Sequence, residues 1–327
     1  MADGTRFSRL DVAALARLPR ALLLVTIPVL CSLVLFATLP ARPAILHVIQ
    51  KLGHPGVFAL IAVCCLALCL QSRPGRPPLP DYLLVVGVCL ALGGATEVGQ
   101  FFTHRDPALA DVGLDMRGAL CALSFAAAFD RRVWDRPGGS RRRLAFGLLG
   151  AVLALLVAAP LLKAGAAYLN RANEYPLLFT PRSAVDLYFL EPSTEPLELT
   201  STTDGSHRTL RVQLAAEPFQ GLALTEPAPD WRGHRELVVD VTNPGAAELQ
   251  LSVRVDDRSS DGRYEDRFNS VFAIAPGARR RVTIPLAEIA AGARDRRLDL
   301  GHIARLVLFR AATGARGAFL LNEVALR

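Results

Sequence analysis

Five apolar runs fill the first half of the chain, and they constrain its fold more than any other feature. They cover roughly residues 21–40, 54–72, 82–102, 110–129 and 144–168. A helix needs about 20 apolar residues to cross a bilayer, so each run is long enough to span a membrane. The first run is long for the apolar part of a cleaved signal peptide, and we expect it to be retained. The sequence therefore predicts an all-α polytopic bundle of five transmembrane helices over residues 21–169.

The arginines between these runs predict the orientation of the chain. Residues 1–20 carry four arginines, the loop after the second run carries two, and the loop after the fourth carries six. Basic residues favour the cytoplasmic side of a membrane. We therefore expect residues 1–20 to be a cytoplasmic segment and, after five crossings, residues 172–327 to lie outside. A basic excess confined to membrane loops does not indicate nucleic-acid binding.

The polar second half has the pattern of an all-β domain. Turn-forming sequences such as NPG (243–245) and APG (275–277) separate its segments, and LAEIAAG reads as one short helix. The spacing predicts an antiparallel jelly-roll β-sandwich of about 150 residues over 172–327. The predicted strands are TLRVQLA, ELVVDVTN, LQLSVRVDD, RRVTIPL, IARLVLF and AFLLNEVAL.

Cysteine usage and motifs predict no cofactor and no metal centre. All six cysteines lie in the apolar runs, and none follows Cys121. The chain has none of the common nucleotide-binding, hydrolase or metalloprotease motifs. The segment DRSSDG (257–262) begins like a calcium loop, but Phe268 stands where that loop needs an acid. A structural Ca²⁺ elsewhere in the sandwich is left open.

Polar residues crowd between the third and fourth apolar runs and before the second. Glu97 and Gln100 share one helix face, as do Asp111 and Asp115. Because ionisable groups at membrane depth are costly, a convergent set predicts a functional site at the outer surface. In that site Glu97 or Asp111 is the expected general acid or base. The expected ligand-binding residues are Lys51, His54, Gln100, Arg105 and Asp115.

The same residues have structural alternatives. Arg105 would form an ion pair with Glu97 or Asp111 that holds a helical hairpin together. Asp111 would cap the fourth helix, because carboxylates suit helix N-termini. The residues alone leave these alternatives open.

The ordered set KLGHPG, E-x-x-Q, Arg, Asp, Asp and Gly resembles the VanZ-like family of bacterial membrane proteins over roughly residues 20–130. Asp115 stands where the family usually has Asn, and a glycine that usually follows Gly118 is absent. The family takes its name from a glycopeptide-antibiotic resistance protein. The resemblance implies a role at the cell envelope, in the bacterial cytoplasmic (inner) membrane. The matching positions are Lys51, His54, Glu97, Gln100, Arg105, Asp111 and Gly118.

The second half resembles the galactose-binding-like jelly-roll modules that are appended to polysaccharide enzymes. The resemblance is carried by PDWRGHRELVVDVTNPG, IAPGARRRVTIPLAEI and the two segments that follow. It implies a carbohydrate-binding module. Trp231, Tyr264 and Phe268 are candidate sugar-stacking residues, with core packing as the alternative.

Two functional hypotheses follow. In the first, the membrane part binds or modifies a glycan or lipid-linked glycan at the outer face of the bilayer, and the sandwich binds glycan. In the second, the helices are only an anchor, and the sandwich is a non-enzymatic adhesion or assembly module. A transporter is a weaker third reading, because the sequence shows no inverted repeat. Whether the protein is an enzyme stays open.

Overall fold

The chain divides into two compact units, residues 1–162 and 163–327, which we call the helical unit and the sandwich unit. The computed structural model describes residues 12–40, 43–72, 76–102, 109–135, 137–193, 197–201 and 208–327. The boundary falls inside the longest described helix, so the last turns of that helix belong to the sandwich unit.

Four of the described helices, α2, α3, α4 and α6, are long and apolar enough to cross a membrane. Five spans were predicted, and the difference lies in α1, an apolar helix of 17 residues. It ends at Phe36 because Ala37 is extended. A helix of this length is roughly 25 Å long, slightly less than the roughly 30 Å hydrocarbon core. The helices are α1 (Arg20–Phe36), α2 (Ala44–Ser72), α3 (Pro78–Phe101), α4 (Leu109–Phe129), α5 (Arg131–Trp134) and α6 (Gly139–Glu174).

Helix α2 begins ten residues before the predicted run, so Lys51 and His54 lie inside a helix and not at its start. The predicted run was bounded by apolar composition, and it excluded Lys51 and the residues before it. Pro55 lies within the helix, against Gly118 of α4. A Cβ at Gly118 would be 1.9 Å from the Pro55 carbonyl oxygen, so the backbones of α2 and α4 are in direct contact.

The sandwich unit contains two antiparallel sheets in the described residues. One has the order β3-β4-β11-β6-β9, with β1 also paired to β11, and the other has the order β2-β5-β10-β7-β8. From β4 to β11 the chain alternates between the sheets except at β7 and β8, as in a jelly roll. The strands are β1 (Leu177–Phe179), β2 (Leu190–Pro192), β3 (Glu198–Ser201), β4 (Arg208–Leu214), β5 (Gln220–Thr225), β6 (Glu236–Thr242), β7 (Leu249–Asp257), β8 (Phe268–Ile274), β9 (Arg279–Pro285), β10 (Ile303–Arg310) and β11 (Gly317–Leu326).

The predicted antiparallel sandwich is confirmed, and the six predicted strands coincide with β4, β6, β7, β9, β10 and β11. The predicted short helix is α7 (Leu286–Ala290). Side chains from both sheets fill the core, including the fully buried Trp231 and Phe319. Ala167 and Tyr168, from the end of α6, pack in or against the same core. The sandwich unit therefore begins inside α6, ahead of residue 172.

Candidate functional site

Several predicted site residues come together between α2, α3 and α4. Glu97 and Gln100 of α3 and Asp115 of α4 are buried, and Asp115 has 0% exposure. His54 Nδ1 lies 3.3 Å from Asp115 Oδ1. Asp111 and Glu97 are close enough to His54 to act on it electrostatically. We call His54, Glu97, Gln100 and Asp115 the intramembrane polar cluster.

Small residues bring the three helices together at this cluster. A Cβ at Gly93 would lie 3.4 Å from Asp115 Oδ2, and Thr96 donates a hydrogen bond of 2.8 Å to the Gly93 carbonyl. Gly118 lets α4 reach Pro55, the residue after His54. The His54–Asp115 pair therefore depends on close helix packing that only small residues allow.

The contact with Asp115 orients the His54 ring. A carboxylate that holds one nitrogen of an imidazole fixes its tautomer, so the other nitrogen can accept or donate a proton. Asp115 Oδ2 is buried without a hydrogen-bond partner among the described residues. A ligand donor at this oxygen would remove the cost of that burial.

The other predicted residues lie at or beyond the margin of the cluster. Asp111 is half-buried on α4, one turn before Asp115, and Lys51 is exposed on α2, one turn before His54. Arg105 lies outside the described residues, as does His104. The roles assigned to Glu97, Asp111, Lys51 and Gln100 stay predictions.

A second buried polar group, not singled out from the sequence, joins α3, α4 and α5. Arg132 donates to Asp81 Oδ2 at 2.7 Å and to Asp130 Oδ2 at 2.9 Å, and Tyr82 donates to Asp130 Oδ2 at 3.2 Å. Burial lowers the pKa of Arg132, but the hydrogen bonds to Asp130 and Asp81 outweigh it and raise that pKa. The sequence signal that could have identified this group is Asp81, an acid in the first turn of an apolar helix, together with the arginine-rich loop that follows the fourth run.

The outward face of the five-stranded sheet forms a groove of about 390 Å³. This volume lies in the range of small-molecule sites, which is about 300–1,000 Å³. The strand register places Phe309, Ser252 and Val271 in one row across the groove. The adjacent row crosses all five strands and contains Glu191, Ala223, Val307, Arg254 and Asn269.

Two exposed aromatic residues line opposite corners of the groove. Tyr264 is 65% exposed and precedes β8, whereas Phe219 is 68% exposed and precedes β5. The Phe219 ring lies 6.1 Å from the Phe309 ring. Strands β5 and β8, which follow these residues, are three spacings or about 14 Å apart. Phe219 and Phe309 were not recognised in the sequence.

Trp231 and Phe268 are core residues, which corrects their interpretation as sugar-stacking candidates. Trp231 has 0% exposure, and its indole Nε1 donates a 2.7 Å hydrogen bond to the Ala228 carbonyl. Phe268 is also buried. Neither ring has a face available to a ligand. Tyr264 is the predicted aromatic residue that lies on the surface, where it lines the groove.

Arg296 occupies the centre of the loop that begins like a calcium site. Its guanidinium donates to both carboxylate oxygens of Asp257, at 2.7 and 2.6 Å, and to Asp266 at 2.5 Å. Burial raises the pKa of Asp257, but hydrogen bonds from Arg296, the Asp299 amide and Ser260 outweigh it and bring that pKa to about 2. A guanidinium thus supplies the positive charge in this loop. The described residues contain no group of three or more metal-ligating side chains.

No protein-family model and no curated protein matches the chain. Solved structures match its β-sandwich. An exo-β-agarase has 16% identity and a TM-score of 0.38, covering 46% of this chain and 24% of its own. A family 11 carbohydrate-binding module from Clostridium thermocellum was solved with a β-1,3-1,4-mixed-linked tetrasaccharide. It has 14% identity and a TM-score of 0.34, and the match covers 42% of this chain and 85% of the module. A xylan-binding CBM22-1 domain from Paenibacillus barcinonensis has 17% identity, a TM-score of 0.31 and coverages of 42% and 84%. The chain thus spans about a quarter of the agarase and most of each module.

Proposed function

We propose that this protein is an integral protein of a bacterial cytoplasmic membrane whose sandwich unit binds a glycan in the groove. The observation that carries the proposal is the pair of exposed aromatic residues, Tyr264 and Phe219, at two corners of a groove that also presents polar side chains. Aromatic rings offer large apolar faces to the C–H faces of sugars, while Asn269, Ser252 and Arg254 offer hydrogen bonds to hydroxyls. The separation of the corners favours an oligosaccharide over a monosaccharide.

We propose that the groove binds a glycan without cleaving it. Glycoside hydrolysis commonly needs two carboxylates about 5–10 Å apart. Among the described residues that line the groove, Glu191 is the one acid. A second acid at that distance would be needed for hydrolysis by the usual mechanism.

A glycan array with the full chain in detergent tests this proposal. Tyr264→Ala should lower the affinity for a retained glycan about tenfold, because one stacked ring and its buried area are lost. Tyr175→Ala is the matched control, because Tyr175 is 39% exposed and does not line the groove. Equal losses for both variants, or no retained glycan, would contradict the proposal.

For the helical unit, we propose that the intramembrane polar cluster binds the polar head of an envelope lipid, such as a lipid-linked glycan. Support comes from the buried His54–Asp115 pair and from the resemblance to the VanZ-like family. Asp115→Ala removes the carboxylate and should remove the envelope phenotype at normal protein level. Ser124→Ala, in the same helix, is the control. A phenotype that survives Asp115→Ala but not Tyr264→Ala would favour the anchor-only hypothesis.

The proposed location requires the sandwich unit to lie outside the cytoplasm. Ser140→Cys and Ala312→Cys place single thiols at exposed positions once the six native cysteines are replaced. In intact cells an impermeant thiol reagent should label residue 312 and spare residue 140. The reverse pattern would place the groove in the cytoplasm and exclude an extracellular glycan.

A further inference from the structure

We propose that the groove selects an anionic glycan, whose carboxylate or phosphate is held by Arg267 and Arg305 beside Tyr264. This inference rests on the proposed glycan-binding function and adds the ligand class. Three arginines, Arg254, Arg267 and Arg305, line the groove. The three guanidinium groups lie at one corner of the groove, and the described carboxylates at that corner do not neutralise all of their positive charge.

The strand register brings the three guanidinium groups to neighbouring positions. Arg305 of β10 stands opposite Asp256 of β7, and Arg254 lies two residues along β7 on the same face. Arg267 immediately precedes Phe268, which pairs with Val255. The Arg267 guanidinium lies 5.6 Å from the Tyr264 ring centroid. The arginine corner is therefore also the Tyr264 corner.

The nearest carboxylate in this corner is already occupied. Arg254 binds Asp256 through two contacts, Nε to Oδ1 at 2.9 Å and Nη2 to Oδ2 at 2.8 Å. Within the part of the chain that the structure describes, neither Arg267 nor Arg305 makes an ion pair, and the Nε of each is buried without a hydrogen-bond partner. Burial, followed by the like charge of Arg254, lowers the pKa of Arg267 and outweighs the opposing charges of Asp256 and Glu265. Arg267 donates one hydrogen bond, from Nη1 to the Gly262 carbonyl at 3.3 Å. The remaining donors of Arg267 and those of Arg305 are left to bind an anion.

The other acids do not neutralise this corner. Glu191 lies on β2, two strand spacings or about 10 Å from β10, which carries Arg305, and three spacings from β7. Glu265 is exposed and does not line the groove. The positive charge is local, because residues 170–327 contain 20 Lys and Arg against 21 Asp and Glu. Non-specific attraction of polyanions by a basic domain is therefore not expected.

Guanidinium groups recognise carboxylates and phosphates through parallel N–H···O bonds. An acidic sugar stacked on Tyr264 would place its anionic group within reach of this corner, while neutral sugars extend toward Phe219. Both anion types share this chemistry. Matched polysaccharide pairs distinguish them.

The experiment measures binding of the full chain, in detergent, to two matched pairs. Polygalacturonate is compared with its methyl ester, and phosphorylated dextran with dextran. We expect at least about a tenfold preference for the charged member of one pair, because charge-assisted hydrogen bonds are lost in its neutral form. The pair in which the charged member is preferred shows whether the anion is a carboxylate or a phosphate. Raising the salt concentration should reduce the preference.

Arg305→Gln should reduce the preference about tenfold, and Arg305→Lys should retain part of it, because lysine keeps the charge without the planar fork. Arg267→Gln is the second variant. Arg281→Gln, on the six-stranded sheet, is the control and should have no effect. Equal binding of neutral and charged members, or equal losses in Arg305→Gln and Arg281→Gln, would overturn the inference and leave glycan binding intact. Failure to bind any polysaccharide would contradict the proposed function itself.

Discussion

The two units differ in how deeply their polar side chains are buried. In the helical unit Asp81 and Asp115 have no exposed surface, and each is hydrogen-bonded to a side chain from another helix, Arg132 or His54. In the sandwich groove Arg305 and Asn269 are only half-buried and face an open surface. The first arrangement couples these acids to helix packing, whereas the second places polar groups on an open surface. Substitutions that break helix contacts, at Gly118 or Arg132, should therefore change folding, and substitutions in the groove should change binding.

Gly118→Ala should have the largest effect. The new Cβ would lie 1.9 Å from the backbone oxygen of Pro55, which no side-chain rotation relieves. Separating α2 from α4 should cost about 3 kcal/mol or more of unfolding free energy. Gly113→Ala is the control in the same helix, because its Cβ would meet no atom within 4 Å. Thermal unfolding in detergent measures both, and equal midpoints would refute the close approach.

Removing the end of α6 should be nearly as costly to the sandwich unit. The Arg171 guanidinium lies 4.7 Å from both the Tyr168 and Phe189 rings, and its Nη1 donates to the Glu226 carbonyl. A fragment of residues 172–327 lacks Tyr168 and Arg171, so we expect it to be about 3 kcal/mol less stable than residues 163–327. Urea unfolding of the two fragments checks this. Equal stability would show that residues 163–171 do not stabilise the sandwich.

Arg132→Gln should destabilise the helical unit by about 2 kcal/mol, because it leaves Asp81 and Asp130 buried without their cation. The cost is below that of a fully buried pair, since Arg132 is 22% exposed. Asp81→Asn added to Arg132→Gln should recover part of the loss. Arg142→Gln, at an exposed position, is the control. If Arg132→Gln alone is as stable as Arg142→Gln, Asp81 and Asp130 are neutral or solvated.

The same contrast explains what could be predicted from the sequence. Acids within apolar runs stand out, so helical spacing alone put Glu97 with Gln100 and Asp111 with Asp115. The His54–Asp115 contact was not predictable in detail, because it depends on how closely Gly93 and Gly118 let the helices approach. Helix α2 was predicted too short because the run was bounded by apolar composition, whereas the helix begins at Ala44 and includes Lys51.

In the sandwich, strands with a regular apolar alternation were predicted, and the missed strands include β5 and β8, which line the groove. Gly221 in β5 lies against the backbone of Leu308, and Asn269 in β8 faces the groove, so both interrupt the pattern. Arg305 lay within a predicted strand, but its face could not be assigned without its neighbours. Departures from the regular pattern are expected at functional sites, so strands that line the proposed site are the ones a pattern is least able to predict.

Lowering the pH should destabilise the sandwich unit, because Asp257 becomes protonated. The pKa of Asp257 is about 2 in the folded state, below its ordinary value of 3.8. Its contribution is therefore present above about pH 4 and is lost as the pH falls toward 2, to a total of at most about 2 kcal/mol. Trp231 fluorescence in a Trp134→Phe background reports unfolding of this unit alone, since the chain has two tryptophans. Asp257→Asn should flatten the pH dependence, and an unchanged slope would assign it to other groups.

Substitutions of Phe219 should change the stability least, and they should separate an effect on folding from an effect on binding most clearly. Its φ of 59° is in the left-handed region, which a phenylalanine adopts at a cost of about 1 kcal/mol and a glycine adopts freely. Because the ring is 68% exposed, little packing offsets that cost. Phe219→Gly should therefore keep or slightly raise the unfolding free energy measured by Trp231 fluorescence, and Phe219→Ala should lower it by about 0.5 kcal/mol or less. Both should weaken glycan binding. If Phe219→Gly instead destabilises as much as a core substitution such as Phe319→Ala, about 3 kcal/mol, the ring is a structural element of the sheet edge and not a surface for a ligand.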